Sequence, residues 1–413
     1  MGINVNITAN LPGAHQEPSI AVNQLNPKIM AVVATDTGTG VARTGLYRST
    51  DGGLTWITGL LPLPAGFGGA EAASIDYTFP NRFIVIVHAF NNFADGSIFV
   101  YVSDDNGVTW TDPIVVAQGF GFDLHNDEPY IAFDRTSASP YRGYAYATYT
   151  PLYDIEYSVG NSGIFFRRSV DGGFNWLTPI RISSVRGYTD RASIAVGVSG
   201  EVYVGYIRTG PTMPQFFVRI SYDGGATFFP DPTFRGAIGI SSVVLPPTPL
   251  PVPGYQFRVL TIASLAADVS ATPTAGNVYA AWQDFRKGYS EILFCRSPDG
   301  QLWSEPVTIS HGVPFSQSFQ PSITVAPATG KIYCIYYTNV SNGFLLDCYV
   351  AESTDGGNSF INRRVSLQSF NPVIAPPINL LADYITARTT APETLAAVWT
   401  DTRTGKQDVF FGT

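Results

Sequence analysis

The chain has 413 residues, of which 45% are apolar and 14% charged, and it contains 40 Gly, 30 Pro, 27 Phe and 22 Tyr. This apolar content suffices for a large core and excludes wholesale disorder, while the Gly, Pro and aromatic content favours short strands over helices. The formal net charge is -8 without a cluster of Lys or Arg, so nucleic acid and anionic lipid are poor partners.

No long apolar run occurs, so we expect no membrane span, and Met1 to Asn10 lack the pattern of a secretory signal. Three cysteines are present, and their spacing does not support a zinc cluster. Cys334 and Cys348 are predicted on neighbouring strands. For these two we favour buried free thiols over a cross-strand disulfide.

In chain order, one short motif recurs six times: Ser49–Trp56, Ser103–Trp110, Ser169–Trp176, Ser221–Phe228, Ser297–Trp303 and Ser353–Phe360. Each copy has an Asp two residues after its Ser, then glycine, and each ends in an aromatic residue. Asp-Gly and Gly-Gly supply the positive φ angles of a tight hairpin turn, and the aromatic residue can pack between neighbouring sheets. We interpret the motif as a structural turn and not as a ligand site.

The segments around the motif repeat as well, with about four alternating strands in each unit of about 60 residues. Glu17–Ala21, Glu128–Ala132, Arg191–Ala195 and Gln320–Thr324 begin such units. Length alone suggests two or three domains, but seven units favour one ring.

A seventh unit, Asp383–Phe411, lacks its fourth strand, and the N-terminal segment Ile3–Thr8 is available to supply it. Closure in this way leaves no free sheet edge. We therefore predict an all-β fold: a single domain over residues 1–413 that forms a seven-bladed β-propeller, with six blades as the alternative. Leu245–Gly254, rich in proline, is predicted to be a loop between blades.

In a four-stranded meander, the first strand begins and the second strand ends on one face, opposite the recurring turns. The first-strand starts carry Glu17, Glu71, Asp127, Glu128, Asp190, Arg191, Gln320, Asp383 and Tyr384. The second-strand ends carry Asp36, His88, Arg208, Asp284, Arg286, Asp401 and Arg403. His15, His125 and His311 are predicted in loops between blades on the same side. Such crowding in a chain of low charge indicates a functional face.

Structural interpretations of these residues stay open. Trp282–Arg286 and Trp399–Arg403 share a W-x-D-x-R pattern, in which Asp and Arg either pair with each other or contact a ligand.

The carboxylates at the strand starts either bind a ligand or accept hydrogen bonds from the backbone N–H groups there. Ca²⁺ could use them, but no Asp-rich calcium loop supports it, so we predict no metal or other cofactor. Zinc would need converging His or Cys residues, and convergence in space cannot be read from the sequence. Two aromatic loops, Gln118–Phe122 and Ala89–Phe93, either stack on sugars or pack on the blades.

The recurring motif resembles the Asp-box, or BNR repeat, of the sialidase superfamily, S-x-D-x-G-x-T-W, which lies between the third and fourth strands of propeller blades. The resemblance covers nearly the whole chain through the repeats. It implies a glycan-related protein outside the cell. In that family, three arginines bind the carboxylate of sialic acid, a Tyr–Glu pair provides the nucleophile, and an Asp is the acid/base.

Carried over to this chain, the resemblance implies Asp36 as the acid and Tyr384 as the nucleophile. Arg191, Arg208, Arg286 and Arg403 are the available guanidiniums. The R-I-P motif of the family is replaced by Gln16-Glu17-Pro18, and Glu17 would repel a sialic acid carboxylate. A second difference from the family is the number of blades, because sialidases of this type have six and this chain is predicted to have seven.

Two functions follow. The first is a non-catalytic propeller that binds a glycan or glycoprotein, or serves as a scaffold, outside the cell; we favour it because the R-I-P arginine is missing. The alternative is a glycoside hydrolase that acts on a glycan other than a simple sialoside, with Asp36 and Glu17 as its carboxylates. The remaining face residues, Arg191, Arg208, Asp284, Arg286, Asp401, Arg403, Asp127, Glu128, Asp190 and His88, are candidate substrate contacts.

Overall fold

Alternating apolar residues build seven antiparallel sheets, which the computed structural model arranges as the blades of a β-propeller. It describes residues 2–91, 94–153, 162–183, 188–189, 191–210, 213–229, 238–373, 380–390 and 392–413. Within each blade the chain runs as a meander, with the first strand next to the central channel. The prediction of seven blades is confirmed.

The strand β1 (Asn4–Asn6) belongs to the last blade. Blade 1 contains β2 (His15–Val22), β3 (Met30–Asp36), β4 (Arg43–Ser49) and β5 (Ile57–Leu60). Blade 2 contains β6 (Gly69–Thr78), β7 (Arg82–Asn91), β8 (Ala94–Ser103) and β9 (Ile114–Ala117). Blade 3 contains β10 (Leu124–Phe133), β11 (Ala145–Tyr153), β12 (Phe165–Ser169) and β13 (Ile180–Arg181).

Blade 4 has its first strand in two pieces, β14 (Tyr188–Thr189) and β15 (Ser193–Val196), followed by β16 (Val202–Thr209), β17 (Gln215–Ser221) and β18 (Ile238–Ser242). Blade 5 contains β19 (Ser264–Ala267), β20 (Val278–Asp284), β21 (Glu291–Ser297) and β22 (Val307–Thr308). Blade 6 contains β23 (Ser318–Val325), β24 (Ile332–Thr338), β25 (Asp347–Ser353) and β26 (Ile361–Arg364). Blade 7 contains β27 (Thr386–Thr390), β28 (Thr394–Asp401) and β29 (Asp408–Gly412).

The N-terminal strand closes the ring, as predicted. β1 pairs antiparallel with β29, and the central partners are Val5 and Phe411. Blade 7 thereby gains its fourth strand from the other end of the chain. The pairing removes the sheet edge that β29 would otherwise expose.

The hydrophobic core is divided into clusters between neighbouring blades. One cluster joins blades 2 and 3 through residues such as Ile84, Val100 and Phe133, and another joins blades 7 and 1 through Ile20, Val32 and Phe411. Each blade therefore buries both of its faces against its neighbours, which stabilises the ring as a whole.

The six recurring motifs form the turns between the third and fourth strands. In the first turn, Ser49 donates a hydrogen bond to Asp51 Oδ1 (2.8 Å) and the backbone N–H of Thr55 donates to the same atom (3.0 Å). Hydrogen bonds from Thr55 lower the pKa of Asp51 to about 2. The ring of Trp56 packs against Phe411, with centroids 5.5 Å apart, and so ties blade 1 to blade 7. These contacts account for the motif as a structural turn.

Two further predictions concern the cysteines and the membrane. Cys295, Cys334 and Cys348 are free and buried, so the preference for free thiols over a disulfide is confirmed. Within the described ranges, the structure has no helix long and apolar enough to cross a membrane.

Candidate functional site

The charged face predicted from the sequence lies at the mouth of the central channel, where the first strands begin. Four first strands contain a β-bulge there, and the bulged residues have positive φ angles: Glu17 (58°), Ala72 (50°), Glu128 (49°) and Gln320 (54°). A positive φ is uncommon for residues other than glycine, and bulges re-aim side chains near functional sites. The bulges also explain why His15 and His125, predicted in loops, lie in β2 and β10: each strand continues past the bulge.

Glu17 is the most strongly perturbed carboxyl group at this mouth. It is 6% exposed, and Thr35 Oγ1 donates a hydrogen bond to its Oε2 (3.3 Å). Burial, followed by the charges of Asp383 and Glu71, raises the pKa of Glu17 to about 8, although Arg191 and Arg258 act in the opposite direction. Glu17 is therefore largely protonated at neutral pH, as a general acid requires.

Asp383 is held by Arg258, a residue that the sequence analysis missed. The guanidinium binds both carboxylate oxygens, with Arg258 Nε donating to Asp383 Oδ1 (3.1 Å). Burial raises the pKa of Asp383, and the paired guanidinium opposes that rise. Arg258 lies outside the strands, in the long connection before blade 5, and a bridge to Leu380 holds it beside blade 7. No local pattern in the sequence indicated this pairing.

Tyr384 and Arg191 pack together next to these carboxyl groups. Arg191 Cζ lies 3.7 Å from the centroid of the Tyr384 ring, and Arg191 Nη1 lies 3.8 Å from Glu128 Oε2. The Tyr384 hydroxyl donates a hydrogen bond to the carbonyl oxygen of Ala73 (3.0 Å). Burial raises the pKa of Tyr384 well above its usual value. The phenol is therefore arranged to hold Arg191 in place and not to ionise.

On the blade 2 and blade 3 side of the mouth, His88 is buried among polar groups. His88 Nδ1 lies 3.2 Å from Asp127 Oδ1 and 3.9 Å from Glu71 Oε1. The rings of His88 and His125 meet edge to face, with centroids 4.8 Å apart. Burial lowers the pKa of His88 to about 4, against the opposing charge of Asp127, so its imidazole is neutral. One donor atom from each of His88, His125 and Asp127 lies within 4.8 Å of the other two, which makes this cluster the candidate place for a metal ion.

Asp36, the acid implied by the resemblance, lies in a different cluster. Its Oδ2 is 3.3 Å from His15 Nε2, and its Oδ1 accepts the backbone N–H of Gly38 (2.7 Å). Burial acts to raise the pKa of Asp36, but the hydrogen bonds with His15 and Gly38 and the charge of Lys406 lower it overall. These partners favour the ionised form of the Asp36 carboxyl group. Glu17 is not one of them, so the two carboxyl groups lie in separate clusters.

The two W-x-D-x-R turns are internally paired. Arg286 Nε and Nη2 donate to the two carboxylate oxygens of Asp284 (2.8 and 2.9 Å), and Trp282 Nε1 donates to Oδ2 of the same group (3.3 Å). The second turn repeats this arrangement, with Arg403 and Trp399 around Asp401. The structural interpretation therefore accounts for both turns.

The remaining predicted residues either have contacts outside the clusters described above or fall outside the described ranges. Arg208 packs over the ring of Phe217, with Cζ 4.8 Å from its centroid. Phe120 and Phe122, in the loop before blade 3, are 63% and 47% exposed. Asp190 and Phe93 fall outside the described residues.

A cavity lies at the other end of the channel. It has a volume of about 360 Å³ and is lined by the ends of first strands, including Ala132, Ala195 and Val325. The carboxylate on its wall, Asp76, is already bound by Arg135 Nη1 and by the backbone N–H of Phe133 (both 2.8 Å). We place the candidate site at the charged mouth because the perturbed acid–base groups are there.

No protein-family model matches the chain, and no curated protein matches it. Among solved structures, it is similar to the GH93 α-L-arabinofuranosidase of Fusarium graminearum in complex with arabinobiose, with a TM-score of 0.54 and 12% identity over 100% of this chain and 96% of that chain. It is also similar to the NanB sialidase from Streptococcus pneumoniae, with a TM-score of 0.51 and 10% identity over 99% and 97%.

A third structure, described as Hadza microbial sialidase Hz136, has a TM-score of 0.48 and 16% identity over 81% of this chain, which spans 66% of that sialidase. The two likenesses with higher TM-scores show that the chain has the sialidase-like propeller fold.

Proposed function

We propose that the protein is a glycoside hydrolase that acts on a glycan other than a simple sialoside. This replaces the non-catalytic role that the sequence favoured. The observation that carries the proposal is Glu17, a buried carboxyl group set between Asp383 and Glu71 at the channel mouth, with a pKa raised to about 8. Glycoside hydrolysis needs two carboxyl groups, one of them protonated at the working pH.

In this mechanism Glu17 is the general acid. Protonated at neutral pH, it donates its proton to the glycosidic oxygen as the bond to the sugar breaks. Thr35, which hydrogen-bonds Glu17, fixes the orientation of the carboxyl group. The charge of Asp383 helps to keep the proton on Glu17 until the substrate arrives.

Asp383 is the second carboxyl group. Arg258 binds both of its oxygens and favours the ionised form, which can attack the anomeric carbon or activate water. Arg191, packed on Tyr384 and buried, adds a positive charge that acts to lower the pKa of Asp383. Tyr384 and Asp36 are not the reacting groups in this assignment, because burial keeps the Tyr384 phenol protonated and Asp36 lies in a separate cluster with His15.

The charge of the mouth favours a neutral substrate. Glu17, Glu71, Asp127, Glu128 and Asp383 surround it, and an anionic sugar would be repelled by those that are ionised. A structural neighbour was solved with arabinobiose, a neutral disaccharide. The exposed rings of Phe120 and Phe122 offer apolar surfaces on which a sugar can stack. We therefore propose a neutral glycan or glycoprotein as the substrate, encountered outside the cell.

The test compares Glu17→Gln with wild type on neutral glycosides that differ in their leaving group. Loss of the acid should lower kcat by about 10²–10⁴-fold for arabinan oligosaccharides. The loss should be much smaller for a dinitrophenyl glycoside, whose leaving group needs no proton. Turnover of wild type should fall as the pH rises through about 8, since Glu17 then loses its proton.

Asp383→Asn should lose turnover on both kinds of substrate, because the nucleophile or base is needed for each. Glu305→Gln, the same chemical change at an exposed position, is the control and should behave as wild type. If wild type binds neutral glycans on an array but hydrolyses none of them, the hydrolase assignment is wrong and the non-catalytic role returns.

A further inference from the structure

The His88 cluster is the part of the channel mouth that the proposed hydrolysis does not use. Its three donors come from two blades: His88 lies near the end of β7 of blade 2, and His125 and Asp127 lie at the start of β10 of blade 3. Adjacent blades thus bring two imidazoles and one carboxylate together.

His88 itself has unused binding capacity. It is 2% exposed, and neither of its ring nitrogens makes a hydrogen bond to any described residue. Buried polar atoms normally have a hydrogen-bond partner, so a buried imidazole with two unbonded nitrogens needs an explanation. Asp127 Oδ1 lies 3.2 Å from Nδ1, which is close contact without hydrogen-bond geometry.

Neighbouring residues hold the rings in place. Phe90 stacks on His88, with centroids 5.2 Å apart. A Cβ atom at Gly96 would lie 2.4 Å from Cγ and Nδ1 of His125, so glycine is needed there for the His125 ring to fit. The cluster is therefore packed in a defined arrangement and is not a chance meeting of flexible side chains.

We propose that His88, His125 and Asp127 bind a divalent transition-metal ion of the zinc class. Two imidazoles and a carboxylate are a ligand set that zinc takes at open sites, where a fourth position is left for water or substrate. The proposal does not depend on the hydrolysis described above.

The distances suit such an ion after a small adjustment. Donor atoms bound to a tetrahedral zinc ion at about 2.1 Å lie about 3.4 Å from one another. The contact of 3.2 Å between His88 Nδ1 and Asp127 Oδ1 already has that length. The three donors lie within 4.8 Å of one another, so the widest gap closes by no more than about 1.4 Å. Glu71 Oε1, 3.9 Å from His88 Nδ1, is a further oxygen donor beside the site.

The experiment is a metal titration of the full chain after removal of metals with a chelator. Zn²⁺ is titrated by calorimetry and Co²⁺ by visible absorption, which reports imidazole coordination directly. We expect one ion per chain, and an affinity at least about tenfold lower in His88→Phe and in Asp127→Asn. Asp127→Asn preserves the shape of the site and covers the possibility that His88→Phe folds poorly.

His311→Ala removes an exposed histidine elsewhere and should bind Zn²⁺ as wild type does. Gly96→Ala should weaken binding by displacing His125, without removing any ligand. The proposal is overturned if wild type binds no stoichiometric ion, or if His88→Phe and Asp127→Asn bind Zn²⁺ with the wild-type affinity.

Discussion

Two buried histidines occupy related positions in adjacent blades and have different surroundings. His15 begins the first strand of blade 1 and lies opposite Asp36, whereas His88, near the end of the second strand of blade 2, lies opposite Glu71. Both side chains meet a carboxylate across the same kind of strand pair. What differs is the nearest cation.

In blade 1 the protein supplies that cation. Asp408, 3.9 Å from His15 Nδ1, accepts hydrogen bonds from Lys406 Nζ (2.6 Å) and from Thr8 Oγ1 (2.8 Å). The carboxylates around His15 are thus neutralised within the fold and help to join the N-terminal segment to blade 7.

Among the described residues, Asp127, Glu71, His125 and Phe90 lie against His88, and none of these four is a lysine or an arginine. The same pairing of imidazole with carboxylate is structural where a lysine is bound beside it. Near His88 the charge of Arg258 acts on Asp127 and Glu71, but that guanidinium is bound to Asp383, which leaves the His88 cluster able to take a metal ion.

The largest effect is expected for Lys406→Met. The substitution leaves Asp408, which is 0% exposed, without its cation. Because the Lys406 side chain is itself 33% exposed, we expect a cost of about 2–3 kcal/mol, below that of a fully buried pair. Urea denaturation should show the loss as a lower free energy of unfolding. Lys28→Met, at an exposed lysine between β2 and β3, is the control and should cost less than about 1 kcal/mol. If the two substitutions lower the free energy of unfolding equally, Lys406 does not stabilise the cluster around His15, and the proposed difference between the two histidine clusters is wrong.

A smaller effect on stability is expected when each histidine is replaced in turn. His15→Phe should destabilise the protein by about 1–2 kcal/mol, since it removes the imidazole beside Oδ2 of the buried Asp36 and leaves Gly38 as the hydrogen-bond donor to that carboxylate. His88→Phe should change stability by less than about 1 kcal/mol in metal-free protein, because burial lowers the pKa of His88 to about 4 and its neutral imidazole has no charge to lose. Added Zn²⁺ should then raise the melting temperature of wild type but not of His88→Phe. Equal destabilisation by both substitutions in the metal-free state would contradict this comparison.

The smallest expected effect is on the acid dependence of stability. The pKa of Asp36 is lower in the folded protein than its usual 3.8, so its contribution to stability is present above that pH and is lost as the pH falls through the folded value. The free energy of unfolding should therefore fall less steeply below pH 3.8 in Asp36→Asn than in wild type. Asp112→Asn, at an exposed carboxylate, controls for the change in net charge. Parallel curves for Asp36→Asn and wild type would show that Asp36 is not stabilised by folding.

The candidate site was predictable only in part. Glu17, Asp383, Arg191 and Tyr384 were assigned to one face because strand order alone places first-strand starts together. The W-x-D-x-R arginines were assigned to the same face, and yet each binds the Asp two residues before it. Position along a strand therefore identifies the face but not the partner of a charged side chain.

The architecture follows from local features of the chain. Turns such as Ser49–Trp56 and the alternation of apolar residues are local, so their repetition predicts seven blades and a closing strand at Ile3–Thr8. Which charged groups meet depends instead on contacts between distant parts of the chain. Arg258 and Asp383 are 125 residues apart, and His88 and His125 come from different blades. Those contacts depend on the arrangement of the blades around the channel and on the bulges that direct side chains into its mouth. Neither the blade arrangement nor the bulges produce a local pattern in the sequence.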